Sequence, residues 1–424
     1  MDQENVFPQD EHSSEEARLR KENKIMKIAL LSIAGVLLTA LAVVLFLVVY
    51  NGIKDDGKIV ATEPAVVFTP SDYTVSDEEA IAASSTVVAV VGDKKLTNGE
   101  LNAYYWMQVY DFFTNYGSYY NVDLAKPLGE QRYSESQSWE ELFLELALNS
   151  WNRYAILQIM GEKAGYVLAD DIMQKYNELP ESLAELAKEL NFETVEAMIA
   201  QEMGAGCTMD GYMKYMYTSY YCNDYFAELY ETLKPTDAEI AAYYEENKDT
   251  FVNAGITKEM GKAVDVRHIL LIPEGGTATE GSNYMTYTDE AWEACRVKAQ
   301  GILDAYLAGE STESAFATLA SHHSADGSAS NGGLITNILQ GKTVANFNDW
   351  IFDETRQKGD YGLVRTEYGY HIMYFLEAEE YWVRSARTNM VGETATKLID
   401  EAMEATPMDV NLEMVALSQA DLLS

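Results

Sequence analysis

Hydrophobic and polar positions divide the chain into segments of different character. Residues 1–27 are polar and charged without apolar periodicity, which is typical of a disordered tail. Residues 28–53 contain no charged side chain, and the run IALLSIAGVLLTALAVVLFLVVY is long enough to cross a hydrocarbon core of about 30 Å as a helix. We therefore expect a transmembrane anchor at 28–53 rather than a buried globular helix.

Charges on either side of this run predict its orientation. Basic residues crowd the preceding side, whereas Lys54 and Lys58 on the following side are mixed with Asp55 and Asp56. This bias predicts a single-pass protein of the cell membrane, with its N-terminus in the cytoplasm and the C-terminal bulk outside. A cleaved signal peptide is the alternative, but the run is longer than a signal h-region and no small-x-small site follows it.

Residues 54–85 are acidic and rich in small side chains, which is typical of a linker, and a lobe of mostly helical pattern follows at 86–255. TVVAVVGDKKLT predicts a strand and turn, and Thr97 with Glu100 has the spacing of a capping box. The helix after it, ELNAYYWMQVYDFFTNY, is aromatic on nearly every face. It is either buried all round or offers aromatic rings to unfolded polypeptide. Further helices are predicted at about 136–165, 169–178, 181–190, 194–203 and 210–233.

Three cysteines are too few for a disulfide scaffold. A disulfide between Cys207 and Cys222 stays open, although two cysteines along one straight helix are too far apart to bond. Cys295 lies on the apolar stripe of a predicted helix, which favours a buried filler over a nucleophile.

Residues 256–380 change to a mixed pattern. VDVRHILLIP has the β-branched character of a buried strand, and helices, short strands and turns follow it in the order β-α-α-β-α-β-β. This order predicts an α+β domain, with helices packed on a small antiparallel sheet. Residues 381–424 continue with a helix at about 387–404 and the strand-like VNLEMVAL, which we expect to fold back onto the helical lobe.

Composition limits the function further. The chain has 424 residues, and its 30 basic and 68 acidic residues give a formal net charge of −38, which repels phosphate backbones and argues against nucleic-acid binding. Four of its five histidines fall between 264 and 377. The adjacent pair His322 and His323 lacks a spaced histidine or a cysteine that could complete a metal site, so we favour a solvated helix end and expect no metal.

Several motifs in sequence order resemble a parvulin-type (PpiC) peptidyl-prolyl cis-trans isomerase. They are the strand with RHILL, the run F-x-x-L-A-x-x-x-S-x-D, a Gly-Gly entering a strand, and T-x-x-G-Y-H-I near the end. A membrane anchor and a helical segment ahead of such a domain are similar to extracytoplasmic foldases of the PrsA and SurA kind. The resemblance implies isomerisation of X-Pro bonds without a cofactor, and chaperone activity on unfolded exported polypeptides.

The resemblance also implies a site. His268 and His371 would be its paired histidines, with Asp326 and Thr366 on the polar side of the network. Leu334, Thr343 and Phe347 would line the proline pocket, and they are the substrate-binding candidates.

Two departures concern that pocket. Thr343 stands where the family commonly has an apolar residue, and the loop from Gly333 to Gly341 differs in length and glycine pattern. A non-catalytic holdase with a degenerate parvulin domain is therefore the first alternative, and a structural surface protein is the second. The two histidines could also be a buried pair that only holds the fold together. The sequence leaves the client proteins and the oligomeric state open.

Overall fold

The computed structural model describes residues 72–116, 120, 122–124, 126–278 and 284–420. The predicted tail and transmembrane helix, and the linker up to residue 71, lie outside these ranges. Across the described ranges, no helix is both long and apolar enough to cross a bilayer. The described chain divides into two compact units, which we call the helical lobe (72–233 and 392–420) and the sheet domain (234–391).

The first part of the helical lobe is built on a short β-hairpin and long helices. Its elements are α1 (Asp77–Ala83), β1 (Val87–Val91), β2 (Lys94–Thr97), α2 (Asn98–Tyr116), α3 (Trp139–Ala164), α4 (Asp170–Glu189), α5 (Val195–Met203) and α6 (Met209–Thr232). Helices α2 and α6 cross in backbone contact at Gly99 and Gly211. A Cβ atom on Gly211 would lie 2.3 Å from the carbonyl carbon of Gly99, so only glycine permits this approach.

The aromatic helix α2 belongs to the core of the helical lobe. Tyr104, Tyr105 and Trp106 are almost completely buried, and Val109 and Phe112 join them. These rings are therefore not a surface cradle for unfolded polypeptide. The predicted capping box at the start of α2 is half formed, because Thr97 Oγ1 accepts a hydrogen bond from the Glu100 amide whereas the Glu100 carboxyl bonds no described residue.

One boundary prediction in the helical lobe is wrong. The sequence predicted two helices separated near Pro180, but α4 continues through this proline. Pro180 itself is exposed, whereas Leu179, Leu183 and Ala187 form a buried stripe with helical spacing. Burial of that stripe outweighs the backbone hydrogen bond that the proline removes.

The sheet domain contains the predicted order of strands and helices, with a two-strand hairpin inserted after the first strand. Its elements are α7 (Asp237–Glu246), α8 (Lys248–Asn253), β3 (Lys262–Leu271), β4 (Thr277–Ala278), β5 (Met285–Thr286), α9 (Asp289–Ala308), α10 (Glu313–His323), β6 (Leu334–Leu339), α11 (Ala345–Ile351), β7 (Tyr361–Arg365) and β8 (Tyr370–Glu380). The expected capping box of Thr236 and Glu239 and the expected N-cap Thr288 are both present.

The four-stranded sheet has the order β6-β3-β8-β7, and every neighbouring pair is antiparallel. One face packs on α9 and α10 through residues such as Ile269, Leu303 and Phe316. The other face packs on α11 through Val266 and Phe347. The fold is therefore of the mixed α+β class that the sequence predicted.

The C-terminal segment consists of α12 (Tyr381–Ala405), β9 (Asp409–Val410) and an extended stretch to Ala420. Within the helical lobe, β9 pairs with β1, and Asn98, Asn102 and Trp106 of α2 hydrogen-bond the backbone of residues 414–418. The strand expected for VNLEMVAL is mostly absent. The side chains of α2 bond part of its backbone, and Leu417 also exchanges backbone hydrogen bonds with Tyr73 and Val75.

The described cysteines are free and buried. Cys207 precedes α6, and the Sγ of Cys222 within α6 donates to the carbonyl of Tyr154. Cys295 is buried on α9 and donates to the Leu271 carbonyl, as expected of an apolar filler rather than a nucleophile. The Cys207–Cys222 disulfide left open by the sequence does not form in this structure.

Candidate active site

Two buried histidines meet on the α11 face of the sheet. His268 on β3 and His371 on β8 lie on adjacent antiparallel strands, where His371 is opposite Leu270. Their Nδ1 atoms are 3.0 Å apart, and their rings are nearly parallel at 13°. Side chains at i and i+2 share a face of a strand, so the strand register alone brings the two imidazoles together.

Polar partners extend the pair at both ends. His371 Nε2 is 2.8 Å from Thr366 Oγ1, and His268 Nε2 is 3.2 Å from both Asp326 Oδ1 and Ser328 Oγ. Ser328 also donates its hydroxyl to Asp326 Oδ1 at 2.5 Å. The result is one chain of hydrogen-bonding groups from Thr366 through both histidines to Asp326. We call it the histidine network.

The hydrogen-bond partners indicate which atoms of this network carry protons. Thr366 Oγ1 accepts from the Tyr368 amide, so its own hydroxyl proton is available for His371 Nε2. His371 then carries its proton on Nδ1 and donates it to His268 Nδ1. His268 in turn carries its proton on Nε2 and donates it to Asp326. In this arrangement His371 is neutral, and each donor has an acceptor.

Electrostatics agree with that assignment. Burial, more than the neighbouring His268, lowers the pKa of His371 to about 3, so His371 is neutral at physiological pH. The hydrogen bond from His268 holds the pKa of Asp326 far below its usual range. Asp326 is therefore an ionised carboxylate with its side chain 33% exposed, while His268 and His371 are only 2% and 5% exposed. The charged end of the network is the end that solvent reaches.

The loop after α10 positions Asp326. Ser324 Oγ accepts hydrogen bonds from the backbone amides of Leu270 and Asp326, and Asp326 caps a short 3-10 turn by accepting from the Ser328 amide. Gly333 follows at a φ of +71°, where a Cβ atom would lie 2.2 Å from the His268 carbonyl oxygen. This close approach lets the Gly333 carbonyl accept from the His268 amide and ties the loop to β3.

Phe347 forms the apolar side of the site. Its ring meets both imidazoles edge-on, with centroids 5.4 Å from His268 and 5.3 Å from His371. Leu334 begins β6 opposite Arg267 and is partly exposed. No ring contact or hydrogen bond links Thr343 to the histidine network among the described residues, and its buried hydroxyl has no partner there.

The structure thus joins five predicted residues, His268, Asp326, Thr366, His371 and Phe347, in direct contact. Sequence reasoning missed Ser324 and Ser328, although the motif S-x-D contains the first of them. His322 and His323 lie on the exposed end of α10, where His322 contacts the Thr318 carbonyl. Among the described residues, no cluster of histidine, cysteine and carboxylate side chains has the geometry of a metal site.

Comparisons with known proteins place this geometry in a family. Residues 251–379 match the model of the PPIC-type PPIASE domain, which covers less than half of the chain and contains the whole histidine network. A comparison with curated proteins gives no match.

Solved structures give matches over larger parts of the chain. PrsA from Bacillus subtilis is 18% identical, with 65% of this chain and 89% of that chain covered and a TM-score of 0.28. The peptidyl-prolyl isomerase ESS1 from Candida albicans is 19% identical (31% and 74% covered, TM-score 0.22). One of two SurA-like chaperones of Campylobacter jejuni, PEB4 and Cj1289, is 16% identical (76% and 94% covered, TM-score 0.20). Scores this low support no inference about this chain.

The family match and the predicted motifs coincide in the same residues. The resemblance to parvulins and the predicted isomerase class are therefore confirmed for the sheet domain. The chain carries a PPIC-type peptidyl-prolyl cis-trans isomerase domain at residues 251–379.

Proposed function

We propose that the histidine network is the catalytic centre of this isomerase domain and that it accelerates X-Pro isomerisation in exported polypeptides. The observation that supports this most is the buried hydrogen-bond chain from Thr366 to Asp326, which ends on a partly exposed carboxylate beside the Phe347 ring. A pair of histidines that only stabilised the fold would not require an ionised group at the solvent side.

The reaction needs little chemistry. Rotation about an X-Pro amide has a barrier of about 18 to 20 kcal/mol, because the planar amide is stabilised by resonance. That resonance places partial negative charge on the carbonyl oxygen, and the charge decreases when the bond twists. A site accelerates the rotation if it stabilises the twisted state more than the planar one.

In our proposal Asp326 supplies this difference. Its carboxylate repels the oxygen charge of the planar amide more than that of the twisted amide. The hydrogen bond from His268 Nε2 keeps Asp326 ionised and fixed, while Phe347 provides an apolar wall for the proline ring. His268, His371 and Thr366 are then positioning residues, and Asp326 is the group that faces the substrate.

An exposed aromatic pair beside the network offers a surface for the residues that flank the proline. The rings of Tyr284 and Tyr368 are 5.1 Å apart, and each side chain is more than a third exposed. The backbone amide of Tyr368 donates a hydrogen bond to Thr366 Oγ1, so the aromatic pair lies directly beside the histidine network. We propose that apolar residues next to the proline dock here, and that Tyr368→Ser weakens peptide binding.

The test is the cis/trans exchange of an Ala-Pro peptide, measured by NMR with the full-length protein in nonionic detergent. We expect acceleration by the wild type and a loss of most of it in His371→Ala and Asp326→Ala, since each interrupts the network. His322→Ala is the matched control, because His322 is exposed and outside the network. Circular dichroism and thermal unfolding would show that each variant is folded.

Absence of acceleration by the folded wild type would contradict the proposal. The domain would then act as a non-catalytic binding module for polypeptides. Full activity in both network variants would instead reduce the two histidines to a structural pair.

We further propose that the chain is anchored in the cell membrane by residues 28–53 and acts outside it as a chaperone for exported polypeptides. Two observations support the chaperone role: the exposed aromatic pair, and the net charge of −38, which attracts cationic segments of unfolded chains. Suppression of client aggregation by the His371→Ala variant would separate this role from isomerisation. Protease protection of the N-terminal tail in sealed vesicles would test the orientation.

A further inference from the structure

A cavity of about 310 Å³ lies within the helical lobe. Side chains from β2, α2, α3, α4 and α6 line it, so it lies between the long helices and one edge of the hairpin and is open to solvent. No residue of the histidine network belongs to the helical lobe, and isomerisation gives this cavity no role. Its volume is at the lower end of the range for small-molecule sites, which corresponds to a ligand of about one amino acid in size.

Basic residues outnumber acidic residues around this cavity, whereas acidic residues outnumber basic ones in the whole chain. In a protein with 30 basic and 68 acidic residues, the lining contains Lys94, Lys95 and Lys214 against the single carboxyl group of Glu100. Lys94 is paired with Glu162 and Lys214 with Asp210, each at 2.7 Å. Lys95 has no ion pair with any described residue, so its ammonium group is available to a ligand.

Glu100 is the second unusual group. It is 3% exposed, it lines the cavity, and its carboxyl forms neither a hydrogen bond nor an ion pair with the described residues. Because Glu100 lines the cavity, a bound ligand can supply the hydrogen-bond partner that its carboxyl lacks among the described residues. Burial raises the pKa of Glu100 to about 8, so at neutral pH this carboxyl is mostly protonated and can donate a hydrogen bond to a ligand.

The rest of the lining is aromatic and polar. Trp151 is buried against the cavity, and Tyr176 and Tyr217 meet edge-on with centroids 5.4 Å apart. Thr218 and Gln158 add further hydrogen-bonding groups. Aromatic walls favour an apolar body, while a free lysine and a neutral carboxyl donor favour an anionic head.

We infer that this cavity binds an aromatic or aliphatic carboxylate of single-residue size, with its anionic group on Lys95 and Glu100. A free organic acid and the C-terminal residue of a polypeptide present the same chemistry, so either can be the source. An organic cation is disfavoured because three lysines line the site. Inorganic phosphate would leave the aromatic walls without contact, so we expect it to bind more weakly.

Isothermal titration of the full-length protein in nonionic detergent tests this inference, with empty micelles as the reference. N-acetyl-L-phenylalanine is the acid probe and N-acetyl-L-phenylalaninamide its neutral match, with phenethylamine and inorganic phosphate as further comparisons. We expect the acid to bind at least about tenfold more tightly than the amide. A decapeptide ending in phenylalanine, as free acid or amide, tests the polypeptide source, and binding of either acid supports the inference.

Variants locate the bound group. Lys95→Glu should weaken acid binding about tenfold or more, whereas Lys188→Glu, an exposed lysine of α4 outside the cavity, should change it less than about twofold. Glu100→Gln keeps a neutral donor and should bind within about threefold of wild type, but Glu100→Leu should lose about tenfold. Equal binding of acid and amide, or no effect of Lys95→Glu in folded protein, would overturn the inference.

Discussion

The helical lobe and the sheet domain both bury polar side chains, but they treat carboxyl groups in opposite ways. In the lobe, burial raises the pKa of Glu100, Glu140 and Glu145. In the sheet domain, the hydrogen bond from His268 lowers the pKa of Asp326, and that from Arg387 lowers the pKa of Glu379. The three carboxyls of the lobe are at most 6% exposed, whereas the side chains of Asp326 and Glu379 are 33% and 27% exposed. Depth of burial and the hydrogen-bond partner therefore decide together whether a carboxyl carries a charge.

The two units should therefore respond oppositely to pH. Glu100 holds its proton up to about pH 8 when folded but only to about 4.5 when unfolded, so the lobe loses stability as the pH rises between these values. His371 stays neutral down to about pH 3 when folded, whereas the unfolded side chain takes up a proton below about 6.5. The sheet domain therefore loses stability as the pH falls from 6.5 towards 3.

The largest effect is expected for a buried asparagine of the helical lobe whose side-chain amide bonds the backbone of the C-terminal segment. Asn102 bonds the Ala416 carbonyl and the Ser418 amide, and it is fully buried. Asn102→Ala leaves two buried backbone groups without partners, which costs about 4 kcal/mol at about 1 to 3 kcal/mol for each group. We expect calorimetry to show the unfolding transition of the lobe lowered by roughly 10 °C.

Asn115→Ala on the same helix is the control for this prediction. Asn115 is exposed and, among the described residues, bonds only Asp111, so its loss should change stability by less than about 0.5 kcal/mol. Equal effects of the two substitutions would mean that the hydrogen bonds of Asn102 do not hold the C-terminal segment in place.

The second prediction concerns the unpaired carboxyl of the lobe. Glu100→Gln removes the ionisation that opposes folding at high pH. The free energy of unfolding of the lobe should rise by about 4 kcal/mol at pH 8 and by less than about 1 kcal/mol at pH 5, measured by urea denaturation. Glu178→Gln, an exposed change on α4, is the control and should give no pH-dependent difference. A Glu100→Gln variant with the wild-type pH dependence would show that Glu100 does not titrate in this range.

Much of the fold follows from local patterns in the sequence. Periodicity locates α3, α5 and α6 to within a few residues, and capping residues such as Thr236 and Thr288 mark helix starts. Prediction fails where packing outweighs a local signal. Pro180 did not end α4, because the buried stripe beside it continues. The stretch after β9 is not a regular strand, because side chains more than 300 residues earlier in the chain bond part of its backbone.

Local motifs likewise predict several residues of the candidate active site, whereas its hydrogen bonds depend on contacts between distant segments of the chain. Motifs identified His268, Asp326, Thr366, His371 and Phe347 as candidates, and the antiparallel register brings the two histidines together. The direction of the proton chain depends on distances that no motif encodes, as do the contributions of Ser324 and Ser328. Glu100 looked like an ordinary capping residue, because only the tertiary structure buries it beside a cavity.

The third prediction tests whether catalysis needs the charge of Asp326, which lies at the solvent-exposed end of the histidine network. Asp326→Asn keeps the shape of the side chain but removes its charge, so kcat/KM for an Ala-Pro peptide should fall about tenfold. Asp326 stays ionised and His371 stays neutral between pH 5 and 8, so titration of these two groups should not change wild-type activity over this range. Asp304→Asn on α9 is the control and should leave activity unchanged. Wild-type activity of the folded Asp326→Asn variant would contradict a functional role for this charge.

The smallest effect is expected for Thr343, a residue of the sheet domain. Thr343 buries a hydroxyl with no partner among the described residues, whereas valine has the same shape and nothing to satisfy. Thr343→Val should therefore raise the free energy of unfolding of the sheet domain by about 1 kcal/mol, measured by chemical denaturation. Thr318→Val serves as the control, because Thr318 is exposed and its hydroxyl is already bonded to the Ser314 carbonyl. Destabilisation by Thr343→Val would show that its hydroxyl has a bonding role, and the contrast between paired and unpaired polar groups would then hold only in the lobe.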